Sequence, residues 1–366
     1  MTPDHDPAAP LLRASGLSLR AGPRLLLQDL ELSLAPAEQL VIVGGNGSGK
    51  STLLHVLAGL AEPSAGQVSR PSDPPGMVFQ DGAFWPHMSV EAHLAFVDRH
   101  DDAPWRERLL DEFALTSLRN KRPASLSGGE RLRLGLARAL AGRPRWVLLD
   151  EPLAHLDREL VGHVRELLPE LLAELSAALI LVTHDAEDAL LFGDRLLSLS
   201  GSGGWWLGKA RFALESPPTA SLAALSERGT VLHAMVGADG NADFGLGLQL
   251  DGLPPGQPMS AFLDRAAVSF CGLADADVRG RYVAPDRRGS SWVRVDGRLI
   301  RVGQGHGPLR RDDEVGLRVH GRPRALKPPS ATPDQARAEP SLPGPPPAGT
   351  AAPLASTQPP TPTPDA

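Results

Sequence analysis

Two stretches of this chain have residue types and spacing suited to phosphate chemistry. The first is Gly44-Gly45-Asn46-Gly47-Ser48-Gly49-Lys50-Ser51, followed by Thr52. The glycines let consecutive backbone N–H groups turn inward around an anion. Lys50 adds a positive charge for β- and γ-phosphates, and the Ser51 hydroxyl is a hard oxygen ligand for Mg²⁺. The apolar run LVIV precedes the loop and TLLHVLAGL follows it, so strand, loop and helix start stand in order. The helix start contributes further positive character. A glycine-rich turn without a ligand is the plain alternative, and that order argues against it. The second stretch is Trp146-Val147-Leu148-Leu149-Asp150-Glu151, an apolar strand ending in two carboxylates. In a parallel sheet, ligands sit beyond the carboxyl ends of strands. Asp150 is then placed to support Mg²⁺, and Glu151 to orient and deprotonate an attacking water. Alone, such a pair is a solvated strand end; beside a phosphate loop it becomes a hydrolytic site.

These residues need a scaffold that brings strand ends together. Apolar runs at 40–44, 76–80, 146–150 and 178–184 predict buried strands, and helical spacing over 129–141 and 158–175 predicts helices between them. Alternating strands and helices predict an α/β fold with a largely parallel sheet covered on both faces. Residues 11–205 are expected to form this nucleotide-binding domain. From 206 to 326 short Val- and Leu-rich runs are broken by Gly, Pro and Asp, as in a small β-barrel. TVLHAMVGADGNADFGLGLQL and SSWVRVDGRLIRV are predicted hairpins, the second with an Asp-Gly turn, and EVGLRVHG a further strand. Residues 230–270 and 278–320 read as two related halves. Residues 1–10 and the Pro-rich 327–366 are expected to be disordered, since they lack apolar area to offset ordering.

Composition narrows the class. The chain has 366 residues, a formal charge of −6, one cysteine (Cys271), 36 prolines and only 4% aromatics, with Tyr282 the single tyrosine. One cysteine excludes an internal disulfide framework and a cysteine zinc cage, and it favours a reducing compartment. The negative charge argues against coating nucleic acid electrostatically. No apolar run reaches the roughly 18 residues that span a bilayer, and the acidic start does not read as a signal peptide. A soluble, cytoplasmic protein is expected, with any membrane role acting through a partner.

A third motif, Leu126-Ser127-Gly128-Gly129-Glu130, lies between the first two. With it, the chain resembles the ATP-binding subunits of ABC transporters, which carry a phosphate loop, an LSGGQ-type signature and a strand ending in Asp-Glu in that order. Glu130 stands where glutamine is commoner. The resemblance implies a P-loop ATPase core with a helical subdomain, with ATP and Mg²⁺ as ligands. It implies a head-to-tail homodimer in which Ser127, Gly128 and Gly129 meet the γ-phosphate held by the other subunit. It assigns Gln80 to Mg²⁺ and the attacking water, His184 to the γ-phosphate, and Asp157 to the dimer interface. An aromatic residue that stacks on adenine is expected about two dozen residues before the loop; Ala21 stands there, so either ATP affinity is weaker or an aliphatic such as Leu19 or Leu25 packs on the base. The segment QDGAFWPHMSV resembles the importer stretch that meets a membrane partner, although packing of Phe84 and Trp85 in the local core accounts for them equally well.

The C-terminal region resembles, by pattern, the barrel appended to ATPases of binding-protein-dependent importers. A regulatory ligand site and a structural or dimerising barrel both fit it. The implied function is ATP hydrolysis coupled to solute import through permease subunits at the cytoplasmic face of the membrane. An extracytoplasmic solute-binding protein participates indirectly, and nucleic acid is not an expected partner. Ferric iron, polyamine, oxyanion and sugar cargoes all stay open. The rival readings are a soluble ABC-type ATPase acting on nucleic acid or ribosomes, and a weakly catalytic regulator. One cassette without a heptad run argues against the first, and intact Lys50, Glu151 and His184 argue against the second.

Overall fold

The computed structural model describes residues 10–79, 82–154, 156, 158–244, 248–251, 253–271, 273–285, 290–296, 298–303, 309–320 and 323–326. Of the segments expected to be disordered, 1–10 and 327–366, only Pro10 falls within the described residues. The chain opens with an antiparallel hairpin, β1 (Leu12–Ala21) and β2 (Arg24–Leu34), closed so that Ala21 pairs with Arg24. Next come β3 (Gln39–Gly44), α1 (Lys50–Ala58), β4 (Ala65–Ser69) on the free edge of β1, and β5 (Gly76–Val78). The helices α2 (Val90–Val97), α3 (Ala103–Glu112) and α4 (Gly128–Ala141) follow. Then come β6 (Trp146–Asp150), α5 (Arg158–Leu175), β7 (Ala178–Val182), α6 (Ala186–Phe192), β8 (Arg195–Leu199) and β9 (Trp205–Lys209).

The main sheet has the order β5-β6-β7-β3-β8-β9, parallel except for β9. Its central strands are apolar throughout because both faces are covered. Successive residues serve opposite cores. Leu40, Ile42, Trp146, Leu148, Ile180 and Val182 pack with α1 and the β1–β2 hairpin. Val41, Val43, Val147, Leu149, Leu179 and Leu181 pack with α3, α4 and α5. The order places the carboxyl ends of β3, β6 and β7 side by side, which is where the phosphate loop, the Asp-Glu pair and His184 follow.

The main sheet continues across the boundary expected at 205/206. β9 pairs along β8 from Trp205 to Lys209, so the sheet runs past it. Beyond it, α7 (Ala210–Glu215) and α8 (Ala220–Ser226) place Ala210, Ala213, Leu214 and Leu222 in the α4–α5 core. The strand was missed because WWLGK does not look like the inner strands: an antiparallel edge strand is half-exposed. α8 also faces the next layer, where its Ala223 packs with Phe262 and Leu326.

The C-terminal region contains β10 (Gly229–Met235), β11 (Ala242–Asp243), β12 (Gln249–Leu250), β13 (Pro258–Asp264) and β14 (Val268–Cys271). It ends with β15 (Val278–Pro285), β16 (Ser291–Val295), β17 (Arg298–Val302), β18 (Glu314–Val319) and β19 (Arg324–Leu326). A sheet β10-β13-β19 and an antiparallel sheet β14-β18-β15-β16-β17 share one core built from Leu232, Leu263, Tyr282, Val293, Ile300 and Leu317. That is a small barrel-like domain, as the sequence pattern predicts. The β16–β17 hairpin forms at the Asp-Gly turn, with Val295 opposite Arg298 and Asp296 in the left-handed region at φ 47°. The other predicted hairpin differs. β10 takes β13 as its partner over its whole length, and the intervening stretch keeps a single bridge, Val236 to Ala242, plus the β11–β12 pair. The two predicted halves do not pair as separate units either, since β14 and β19 each join strands from across the region.

Candidate nucleotide site

The phosphate loop leaves β3 at Gly44 and enters α1 at Lys50. Gly47 and Gly49 adopt φ values of 70° and 100°, a left-handed region that favours glycine. Ser48 N–H donates to the Gly45 carbonyl at 3.1 Å, which closes the turn. Lys50 is 7% exposed, and its Nζ donates to the carbonyls of Gly44 (3.0 Å) and Gly45 (3.3 Å), so the cation lies along the loop it serves. Nothing lies within 4 Å of where a Gly45 side chain would stand, so the cradle is open on that side. Ser48 Oγ is buried without a hydrogen-bond partner. Open space over the loop, a cation and an unpaired buried hydroxyl fit a phosphate group.

Asp150 ends β6 at 5% exposure and accepts a hydrogen bond from Ser51. Burial pushes its carboxyl above the usual carboxylate range, and neighbouring Glu151 pushes the same way, while Ser51, His55 and Lys50 pull it back. A buried carboxylate held beside a hydroxyl favours an added cation. Ser51 and Asp150 offer oxygen donors alone, the chemistry of Mg²⁺, which takes its remaining ligands from phosphates and water. No cluster of three or more His, Cys, Asp or Glu side chains that could hold a metal occurs among the described residues.

Glu151 is a non-glycine residue at φ 48°, and its N–H donates to Val182 O at 3.0 Å. A side chain held in that sparsely populated region at a strand end is typical of a functional position. Its Oε2 lies 3.5 Å from Nδ1 of His184, which follows β7 and is 66% exposed. The predicted pair Glu151 and His184 is therefore brought together. Thr52 lies in the first turn of α1, half-buried. Asn46 is exposed at the tip of the loop. Gln80 and Asp157 lie outside the described residues.

The signature segment opens α4. Ser127 Oγ accepts from Glu130 N–H at 3.2 Å, and Glu130 Oε2 accepts from Ser127 N–H at 2.6 Å, a reciprocal capping box. Glutamate suits this position as well as glutamine because the box needs only an acceptor oxygen. The Ser127 N–H holds the Glu130 carboxyl below the usual carboxylate range. Ser127 and Gly128 are exposed, with open space above Gly128.

Beyond α4 lies a groove of about 620 Å³ lined by Met77, Trp85, Phe96, His100, Arg138 and Pro144, among others. Arg138, 6% exposed on α4, donates to the carbonyls of Ala83 (2.7 Å) and Gly82 (3.1 Å). Its guanidinium lies 4.9 Å from the Phe84 ring and 5.6 Å from that of Trp85. Phe84 packs against the α4–α5 core, whereas half-buried Trp85 meets Phe96, which is 62% exposed, in a tilted ring contact. The local-core alternative describes Phe84. His93 is fully buried; its Nδ1 lies 2.7 Å from Ser89 O and its Nε2 accepts from Trp85 N–H at 3.1 Å. Nδ1 therefore carries the ring proton, and burial pushes the imidazole pKa down, keeping it neutral.

Residues 27–154 match the ABC transporter family. Aliphatic sulfonates import ATP-binding protein SsuB 1 of Burkholderia lata is 34% identical over 255 residues, which are 66% of this chain and 77% of that protein. The chain belongs to the ABC transporter family. Within it, the Fe(3+) ions import ATP-binding protein FbpC of Pseudomonas fluorescens is 42% identical over 188 residues, 46% of this chain and 53% of that protein. A solved metal-chelate type ABC transporter in an inward-facing conformation supports the fold, with a TM-score of 0.52 at 23% identity over 70% of this chain and 98% of that one.

This ABC ATPase also holds groups that sequence spacing did not reveal. Ala21 is exposed at the hairpin tip, opposite Arg24. Arg24 Nη2 donates to Gly201 O at 3.2 Å, and Nη1 comes within 3.7 Å of where a Gly47 side chain would stand, so a guanidinium borders the phosphate loop. Leu19 is 2% exposed and belongs to the core, which removes it as a surface for adenine; Leu25 is half-buried. Arg24 carries no motif, and only the hairpin register places it. Arg165 and Asp188 were likewise invisible, being 23 residues apart and joined only by the packing of α5 on α6.

Proposed function

We propose that this chain is the ATP-hydrolysing subunit of an ABC import system. The observation that carries the reading is Glu151, held 3.5 Å from His184 and one residue beyond the buried Asp150. In the reaction, water oxygen bonds to the γ-phosphorus while the bond to the β–γ bridging oxygen breaks. The water proton passes to Glu151, and ADP leaves with the bond's electron pair. His184 bears on the γ-phosphate, and Lys50 with the loop N–H groups of residues 44–50 steadies the phosphate charge. Ser51 and Asp150 would hold Mg²⁺, together with Gln80 by family resemblance; the ion's chemistry there is to neutralise phosphate charge.

Ser127 and Gly128 are exposed and Gly129 is half-buried at the start of α4, as suits residues that meet the nucleotide of a second copy in a head-to-tail dimer. Asp157 is assigned to that interface by resemblance. Trp85, Phe96 and the groove beside them are the docking place for a helix of a membrane permease, since an exposed Phe96 beside a half-buried Trp85 that lies on a buried arginine suits a protein interface. The chain then works peripherally at the cytoplasmic face. No helix among the described residues is long and apolar enough to cross a membrane. Cargo is selected by the permease and its solute-binding protein; sulfonates, named for one relative, join ferric iron, polyamines, oxyanions and sugars as candidates.

The test is steady-state ATP hydrolysis by the purified chain with and without membranes bearing its permease. Stimulation by those membranes is expected. Indifference to them, with stimulation by nucleic acid or ribosomes instead, would overturn the proposal.

A further inference from the structure

A buried polar chain lies beneath the loop that presents His184. Asp188, 4% exposed in the first turn of α6, receives Arg165 through Nε at 2.8 Å and Nη2 at 2.6 Å on its Oδ1. Its Oδ2 accepts from Thr183 Oγ1 at 3.0 Å. Thr183 is also 4% exposed; its N–H donates to Ile42 O at 3.2 Å, and its Oγ1 accepts from Asp185 N–H at 3.0 Å. The residues on both sides of His184 are therefore fixed, one to β3 and Asp188, the other to Thr183. Arg165 comes from α5, the helix that follows the Glu151 segment. It also meets Glu187 at 2.7 Å and Asp185 at 3.5 Å, so three carboxylates surround one guanidinium.

Several features separate this arrangement from an ordinary surface ion pair. Both Asp188 oxygens are used, the Thr183 hydroxyl donates once and accepts once, and the chain ends at the two residues flanking the exposed imidazole. Burial pushes the Asp188 carboxyl up, and the hydrogen bonds from Arg165 and Thr183 act against that. A helix cap alone would not require this, because Asp185 Oδ1 already accepts from the N–H groups of Glu187 (2.6 Å) and Asp188 (3.3 Å).

We propose that Arg165, Asp188 and Thr183 form a positioning relay that sets His184 against Glu151 and ties its placement to helix α5. The proposal rests on the hydrolytic reading given above. These are positioning residues, since none reaches the reacting atoms, and their influence passes through His184. Misplacing a catalytic group by about an ångström lowers rate far more than it lowers binding.

The experiment measures ATPase kcat and KM, ATP affinity and melting temperature for Thr183→Val, Thr183→Ser and Asp188→Asn, each in the wild-type and His184→Ala backgrounds. Thr183→Val should lower kcat about tenfold or more while ATP affinity stays within about twofold. Thr183→Ser, which keeps the hydroxyl, should restore kcat. In the His184→Ala background, followed by single-turnover hydrolysis, Thr183→Val should cause no further loss. Full kcat in Thr183→Val, or equal losses with and without His184, would overturn the relay. Thr183→Val keeps the test decisive even if Asp188→Asn fails to fold. A wild-type chain that binds ATP without hydrolysing it would instead overturn the parent reading.

Discussion

Ala21 stands at the tip of the first hairpin with its methyl group in solvent, and its cross-strand neighbour Arg24 reaches the phosphate loop. A ring placed at 21 would share a face with that guanidinium, since directly paired residues in an antiparallel ladder do so. Base–aromatic stacking contributes roughly 1–3 kcal/mol. Ala21→Tyr is therefore expected to tighten ATP binding by about that amount in a titration of the purified chain; unchanged or weaker binding would contradict it. The loop glycines, Lys50, Ser51, Asp150 and Glu151 were legible in the sequence because their chemistry is local: each lies within a few residues of the strand end that positions it. Arg24 and the Arg165–Asp188 pair were not, because what places them is strand register and helix packing. Leu19, offered through the family resemblance as one surface for adenine, is a core residue, since period-2 alternation along β1 turns it inward together with Leu17.

At the scale of elements, α4 shows how a motif is also a piece of helix chemistry. The capping box satisfies backbone donors at its start, and it does so with Glu130 where a glutamine would serve as well. Glu130 has its carboxyl pKa depressed by the Ser127 N–H, so its contribution is present above the unfolded-state value and is lost as pH falls through the lower, folded value. Glu130→Gln lacks that titration. Compared by thermal melting across pH, the wild type should lose ground to Glu130→Gln below the usual carboxylate range and not near neutrality. A difference that does not vary with pH would show that the carboxylate is not held as described. The apolar inner strands announced themselves in sequence because both faces are buried; β9 and the partner of β10 did not, since an edge strand and a distant pairing leave no continuous apolar run.

At the scale of the molecule, α8 serves two cores. Leu222 packs with the nucleotide-binding domain, while Ala223 packs with Phe262 and Leu326 of the barrel region. We infer that the first domain extends to about residue 226 rather than 205. Truncating a buried leucine to alanine costs about 2–5 kcal/mol. ATP stabilises only the part of a chain that binds it, so Leu222→Ala should lower the same thermal transition that ATP raises. A loss confined to a transition insensitive to ATP would return Leu222 to the barrel. The central claim is that Glu151 takes the water proton at a site assembled by β3, β6 and β7. It is tested most directly by measuring ATP binding and ATP turnover side by side in Glu151→Gln. Binding close to the wild type with turnover nearly abolished is the predicted result; wild-type turnover in that variant would contradict the account.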